Sequence, residues 1–501
     1  MRTETILAAA LCAAAFPSVF AALEVGEDLQ VMWDDHVVDT ARTTAPRVMH
    51  RPRCADKVLD CDAPWEGDAS GWISVFRDGD VCRMYYLGGM QGCAHAVPPA
   101  ITNTGDRLCY AESRDGIHWT KPTLGLVDFN GSTSNNILVA GLIEPHYVFK
   151  DQNPACPAGE RYKEMGEVGD RKRRLGFRFS ADPLRFDTNR FDRIVEDAGN
   201  LDSLNLAFWD ATRNRYYCYL RDFHPTEETS RFRDVRVMTS PDFVTWTRPE
   251  PIRFAAGKKP FQLYTNGVGP YFRNPKIFIG FPTRYQRERC GGRDSTWTAN
   301  YDRLPDAAER KARMGTSKRY AFVVTDGLFM MSRNGIDFDR TDEAFFRPGP
   351  EAPGGWVYGD GYPSPGILLT KAPQGGADEM SFYLPRGAWS GRGTSIWRYT
   401  LRQDGFFSRQ APYAGARVVT KPLKVPAGRM LVNFSTSGGG WLRVSVRDAA
   451  GAAIDSVEMF GDAVDAPVPF AVGDLESFEG RTAVLTFEMS DADLYSFRFR
   501  R

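Results

Sequence analysis

Apolar and polar residues alternate along this chain in short runs, each stopped by Gly, Pro, Asn or Asp, and no long stretch keeps the spacing of an amphipathic helix. Pairs of such runs around a polar turn predict β-hairpins, as in WISVFRDGDVCRMYYLGG from Trp72, NLAFWDATRNRYYCYLRDF from Asn205 and PYFRNPKIFIGFPTRY from Pro270. In most units a third strand then runs into a seven-residue cassette: SRDGIHW from Ser113, SADPLRF from Ser180, SPDFVTW from Ser240 and SRNGIDF from Ser332. Asp or Asn holds the third place and Trp or Phe the seventh. With a fourth strand beginning at that aromatic, each unit is four-stranded, which is a propeller blade. The cassettes start 67, 60 and 92 residues apart, and a degraded copy, RQDGFFS from Arg402, lies 70 further on, so the count is five blades. The long interval contains DRLPDAAERKARMGTSKR, a charged, helix-compatible stretch that reads as an insertion between strands. Residues repeated in every blade are explained as turn staples and plugs between blades, so chemistry is sought where the blades differ.

After residue 411 the alternation becomes cleaner, with Leu442, Val444 and Val446 and then Ala483, Leu485, Phe487 and Met489 on one face. This predicts a separate antiparallel β-sandwich over 411–501, behind a propeller over 22–410. The expected fold is therefore all-β, a five-bladed β-propeller followed by a small β-sandwich. The opening MRTETILAAALCAAAFPSVFA combines an early Arg2, an apolar run and a small-residue end at Ala21. It reads as a cleaved secretory leader over 1–21, giving a secreted or periplasmic protein without a membrane anchor.

The 63 basic and 63 acidic residues cancel, which leaves no charge signal for nucleic acid or an anionic membrane as partner. Cys54 and Cys61 are spaced to close a short loop, whereas Cys82, Cys109 and Cys218 lie in strand-like runs that favour buried thiols. There is no CxxC pair, and the six histidines show no ligand spacing, so no metal or other cofactor is called for. P-loop, G-x-S-x-G and strand-linked G-x-G-x-x-G motifs are missing as well.

In a propeller the innermost strands begin around a funnel where several blades converge on one ligand. The five entries are WEGDASGW, IEPHYVF, NLDSLNLAFWD, LYTNGVGPYF and WVYGDGYPSPGILL. They offer Glu66 and Asp68, Glu144 and His146, Asp202 and Asn205, Tyr264 and Asn266, and Asp360 and Tyr362. Glycosidic cleavage needs one neutral carboxyl to protonate the leaving oxygen and one charged partner as nucleophile or base. Asp202 and Asp360 are read in those two roles, with Glu66 tuning the acid. His146, Asn205, Tyr264 and Tyr362 are read as positioning sugar hydroxyls. The strand ends YLRDF, FPTRY and YLPRG put Arg221, Arg284 and Arg386 at equivalent places in three consecutive blades, either to clamp a substrate carboxylate or sulfate or to depress and orient an active-site carboxylate. In WDDHVVD, Asp35 is a secondary candidate that enters the funnel or staples the N-terminal strand into the last blade.

The phrases WDDHVVD, YAESRDGIHWTKPTLGLVDFNG, GFPTRY, TDGLFMMSRNGIDFDRTDEAFFRPGP, WVYGDGYPSPG, VVTKPLKVPAGRMLVNFSTS and DADLYSFRFR resemble a group of secreted bacterial proteins. Those are similar to the five-bladed propeller glycosidases of the arabinanase, levansucrase and invertase superfamily. The resemblance spans almost the whole chain after the leader and implies a propeller with an appended β-sandwich, export, and action on a glycan. The invertase-like N-D-P-N-G and R-D-P motifs are absent, so the resemblance carries no catalytic residue onto this chain. The cassette also resembles the Asp box of sialidases, which implies a second possibility, hydrolysis of acidic sugars. A third is a propeller that binds or displays glycan without cleaving it.

Overall fold

The computed structural model describes residues 21–89, 106–142, 145–169, 173–226, 229, 231–286, 298–314, 318–390, 392–472 and 475–501. Glu144 and all but the last residue of the expected leader lie outside these. Two compact units result, Arg51–Arg402 and a second formed by residues up to His50 together with Gln403–Arg501. No helix among the described residues is long and apolar enough to cross a membrane.

The larger unit is the five-bladed propeller. Blade 1 runs Gly71–Asp78, Val81–Gly88, Asp106–Ser113 and Trp119–Thr120, and blade 2 runs Tyr147–Lys150, Tyr162–Glu167, Leu175–Ser180 and Arg193–Val195. Blade 3 is built from Leu206–Asp210, Arg215–His224, Phe232–Ser240 and Glu250–Pro251. In blade 4 Gly269–Tyr271, Asn274–Gly280, Met330–Ser332 and Asp337–Arg340 form the ladder, and Arg253–Phe254 adds a parallel edge. The insertion lies between its middle strands and folds into three short helices, Ala299–Asp302, Ala307–Arg313 and Lys318–Phe322.

Blade 5 departs from the expected plan. Leu368–Thr370, Glu379–Arg386 and Thr394–Leu401 are followed not by a strand from the degraded cassette but by Arg53–Cys61, brought in from the other end of the chain. Arg398 fixes this closure by donating to Asp56 at 2.5 and 3.0 Å. Closing the ring with an N-terminal strand covers the third strand of blade 5, which would otherwise remain an open edge. It also overturns the loop expected from Cys54 and Cys61: they sit at the two ends of this extended nine-residue strand, and both are free thiols. Cys82, Cys109 and Cys218 are buried free thiols, as their strand contexts predicted.

The cassettes are structural. In the first, Asp115 accepts from the N–H groups of Ile117 and His118 at 2.8 and 2.9 Å, while Ser113 Oγ takes the N–H of Gly116 at 2.9 Å. Asp242 and Asn334 repeat the pattern with Val244 and Thr245, and with Ile336 and Asp337. A tyrosine on the second strand of the preceding blade then donates to a carbonyl of the cassette turn. Tyr383 reaches Gly116 at 2.6 Å, Tyr85 reaches Pro183 at 3.0 Å and Tyr219 reaches Gly335 at 2.8 Å. The turn passes close to rings of its own and the preceding blade, which explains one glycine in particular. Gly335 has φ +80°, and a Cβ there would meet Phe278 of blade 4 at 2.7 Å and Tyr217 of blade 3 at 2.9 Å.

The second unit differs from the expected 411–501 module. Its eleven strands form one hydrogen-bonded network around two long antiparallel strands, Arg429–Asp448 and Thr482–Arg500. Residues assigned to the propeller from sequence join it: Gln30–Val31 pairs with Phe497 and Ser496, and Arg47–Met49 pairs with Phe407–Ala411. The reason is apolar burial, because Met32, Val37 and Val38 pack into the same core as Phe487 and Phe497.

Candidate active site

The strand entries bring together a buried cluster of aromatic rings rather than a ring of carboxylates. Trp72 from blade 1 lies 4.7 Å from Tyr362 and 5.6 Å from Tyr264, centroid to centroid. Trp389 packs on Tyr358 at 5.0 Å, and Tyr285 stands 6.1 Å from Tyr264 and 6.0 Å from Tyr358. Trp72 and Trp389 take left-handed backbone angles, φ 50° and 61°. Such conformations cost on the order of 1–3 kcal/mol each and persist where packing over-determines them. Below Trp72 and Tyr362 the axis is nearly filled, with a cavity of about 10 Å³ bordered by Leu204, Thr265 and Pro363, room for roughly one water.

Two acids meet this aromatic floor. Asp202, in the loop before blade 3, is 45% exposed at its side chain. Its Oδ1 accepts from the Tyr264 hydroxyl at 2.7 Å, and its Oδ2 lies 3.4 Å from an Arg221 guanidinium nitrogen. Arg221 is itself buried, donating to the Asn200 carbonyl and lying 3.9 Å from the Phe223 ring centroid, so its orientation toward Asp202 is fixed. Asp360 sits between Tyr358 and Tyr362 in the turn that leads into blade 5, and only 6% of it is exposed. Burial pushes its carboxyl up to about 6, against the pull of the Val357 and Gly387 N–H groups and the charge of Arg386. Tyr264 bonds Asp202 and stands 6.3 Å from Tyr358 and 5.8 Å from Tyr362, the residues two places before and after Asp360 in the chain.

Asp202, Arg221 and Tyr264 are in mutual contact, Asp360 lies two residues before Tyr362, whose ring packs 5.8 Å from Tyr264, and five other candidates lie elsewhere. Glu66 is fully buried at the base of blade 1, where its carboxylate accepts from Tyr86 at 2.5 Å, from Lys121 at 2.8 Å and from the Ala63 N–H at 2.8 Å. These bonds occupy both oxygens and make it a structural anchor. His146 is buried in blade 2, hydrogen-bonded to Glu164, which also receives Arg178 at 2.8 Å. Asn205 spends its side chain inside its own turn, on the carbonyls of Leu201 and Ser203 and on the Arg221 N–H. Arg284 forms a two-pronged pair with Asp326 at 2.6 and 2.9 Å across the Thr283–Tyr285 and Thr325–Gly327 ladder. Side chains alternate along a strand, so with Arg284 turned that way its neighbour Tyr285 faces the funnel. Asp35 belongs to the other unit, where it is paired with Arg409.

Arg386, the third of the expected clamp, donates to the Tyr399 hydroxyl at 3.0 Å and reaches Asp360 only through its charge. Sequence reasoning missed Trp72, Trp389, Tyr285 and Tyr358, and two cations described below. Strict alternation in FPTRY would have exchanged Arg284 for Tyr285; the tryptophans gave no signal beyond their aromatic character. Among the described residues no three His, Cys, Asp or Glu side chains are gathered to hold a metal ion.

No family model and no curated protein matches this sequence. Among solved structures the chain is similar to a glycoside hydrolase family 43 arabinoxylan arabinofuranohydrolase from Bacillus subtilis in complex with cellotetraose, at 12% identity, TM-score 0.38, covering 92% of this chain and 100% of that one. It is similar to the catalytic domain of a Coprinopsis cinerea GH62 alpha-L-arabinofuranosidase at 8% identity, TM-score 0.40, covering 70% and 97%. An N-acetylgalactosamine deacetylase from F. plautii in complex with blood group B trisaccharide aligns at 10% identity, TM-score 0.38, covering 90% and 95%. The roles of the residues in this chain rest on the geometry above.

Proposed function

We propose that the propeller is an exported glycoside hydrolase, with Asp360 as general acid and Asp202 as its ionised partner. The observation that carries this reading is a buried carboxyl raised to about 6 on the same aromatic floor as a half-exposed carboxylate held by a phenol and a guanidinium. Asp360 is then protonated in a large fraction of molecules in mildly acidic solution and passes its proton to the glycosidic oxygen as the C–O bond breaks. Asp202 either attacks the sugar carbon or takes a proton from the attacking water, and the net reaction adds one water across the bond. Tyr264 and Arg221 hold Asp202 in place, and the buried Trp72, Tyr362 and Trp389 rings form the packed base beneath it. Export by a leader over residues 1–21 completes the proposal.

The test is a glycan panel assayed with the wild type, Asp360→Asn and Asp202→Asn. Both variants are expected to lose about 10²–10⁴ in kcat/KM on whatever the wild type cleaves. Equal rates for all three proteins would remove the assignment. Sugar binding with no cleavage of any linkage would favour the non-catalytic glycan-binding reading.

A further inference from the structure

The funnel contains more positive charge than the proposed chemistry uses. Arg221 is committed to Asp202, but Arg233 and Arg319 meet no carboxylate among the described residues. Arg233 donates to the Gln262 side-chain carbonyl at 2.9 Å and lies 4.1 Å from the Tyr285 ring centroid. Arg319 lies 5.4 Å from the Tyr320 ring and 5.2 Å from the Tyr358 ring. Since the Tyr285 and Tyr358 rings are 6.0 Å apart, the two guanidinium groups border one patch of the floor. The Tyr264 phenol, 5.2 Å from the Arg233 guanidinium at its ring centroid, is held well above the ordinary tyrosine range by burial and carries no charge toward it.

Arg319 is also held in position. Its helix belongs to the inserted segment, which is pinned by two fully buried arginines: Arg310 donates to the carbonyls of Ala321 and Gly355, and Arg313 to that of Ser390. Arg233 also borders a groove of about 550 Å³ along blades 3 and 4, lined besides by Asp234, Lys259, Phe261 and Arg340. That is the size of a ligand cleft. Arg340 lies 4.3 Å from the Phe261 ring and is partnered by Asp342 at 3.1 Å, whereas Lys259 lies 5.9 Å from the same ring with no acidic partner among the described residues.

We propose that the substrate is an anionic glycan, with a sugar carboxylate or sulfate ester lodged between Arg319 and Arg233 and the chain continuing into the groove along Lys259. The inference rests on the hydrolase reading and names its substrate class. Guanidinium forks match the oxygens of both anions, and an oxyanion supplies the charge that Arg233 and Arg319 lack.

Calorimetric titration of the full chain with trigalacturonate against its methyl ester, and with galactose 6-sulfate against galactose, separates charge from shape and carboxylate from sulfate. At least one anion should bind about tenfold or more tightly than its neutral counterpart, with the advantage shrinking as salt rises. Arg319→Met and Arg233→Met should each remove most of that advantage and leave the neutral sugar's affinity within about twofold. If a Met variant fails to fold, Arg319→Lys, which keeps a point charge without the fork, should retain a reduced preference. Equal binding of anion and neutral sugar, no binding of either anion, or a preference that survives both Met substitutions overturns the proposal. Anion preference without turnover of any glycan would sink the hydrolase reading alone, while turnover of neutral glycans with no anion preference would sink this one alone.

Discussion

Asp242 and Asp360 are the same residue type in two parts of one propeller. Asp242, in the third cassette, is solvated and accepts from the N–H groups of Thr245 and Val244, which hold it down to about 2. Asp360, at the funnel, receives N–H groups too, yet burial wins and carries it up to about 6. Hydrogen bonding alone does not decide which carboxyl can donate a proton near neutrality; solvent access does. Asp115 and Asp242 are held as charged turn staples, and Asp360 is left able to change state.

If that contrast is right, substitutions should separate into chemistry on one side and stability on the other. The largest effect expected is the loss of about 10²–10⁴ in kcat/KM for Asp360→Asn, together with loss of the falling limb near pH 6 in the pH–rate profile. Next comes stability against pH. Below an unfolded-state value of about 3.9 both states are protonated and burial of Asp360 costs nothing. Between there and about 6 the unfolded state gives up its proton while native Asp360 keeps its own, so stability declines across that window by up to about 3 kcal/mol and levels off above it. Asp360→Asn should flatten that decline, read by urea unfolding at pH about 4 and about 7.

On the cassette side, Gly335→Ala places a Cβ against Phe278 at a left-handed backbone position and should cost about 2 kcal/mol. Tyr219→Phe removes the hydrogen bond to the Gly335 carbonyl and should cost about 1 kcal/mol. Thermal melts measure both, and kcat on any cleaved glycan should move little in either. A cassette variant that lost activity while keeping its melting temperature would break the comparison.

The fold was legible because repetition carries it. The cassettes at Ser113, Ser180, Ser240 and Ser332 mark the ends of third strands, and their spacing counted the blades. What could not be read was long-range closure. Nothing local in RCADKVLDC says that it completes blade 5, since its partner, Thr394–Leu401, lies more than three hundred residues away. The site was half legible for the same reason. Asp202 and Asp360 were singled out because strand entries converge by topology, and the same rule also selected Glu66 and His146. Only tertiary contacts, with Lys121 and Tyr86 in one case and Glu164 and Arg178 in the other, turn those two into anchors. Arg319 was invisible because it comes from an insertion whose helical pattern says nothing about where it docks.

That Asp360 titrates far above an ordinary aspartate can be tested before any substrate is known. NMR titration of protein carrying carboxyl-labelled aspartate should show one side-chain resonance moving with a midpoint near about 6 that is absent from Asp360→Asn. If every aspartate titrates in the ordinary carboxylate range, or if the high-pH resonance survives in the variant, Asp360 is not the acid and the proposed chemistry falls with it.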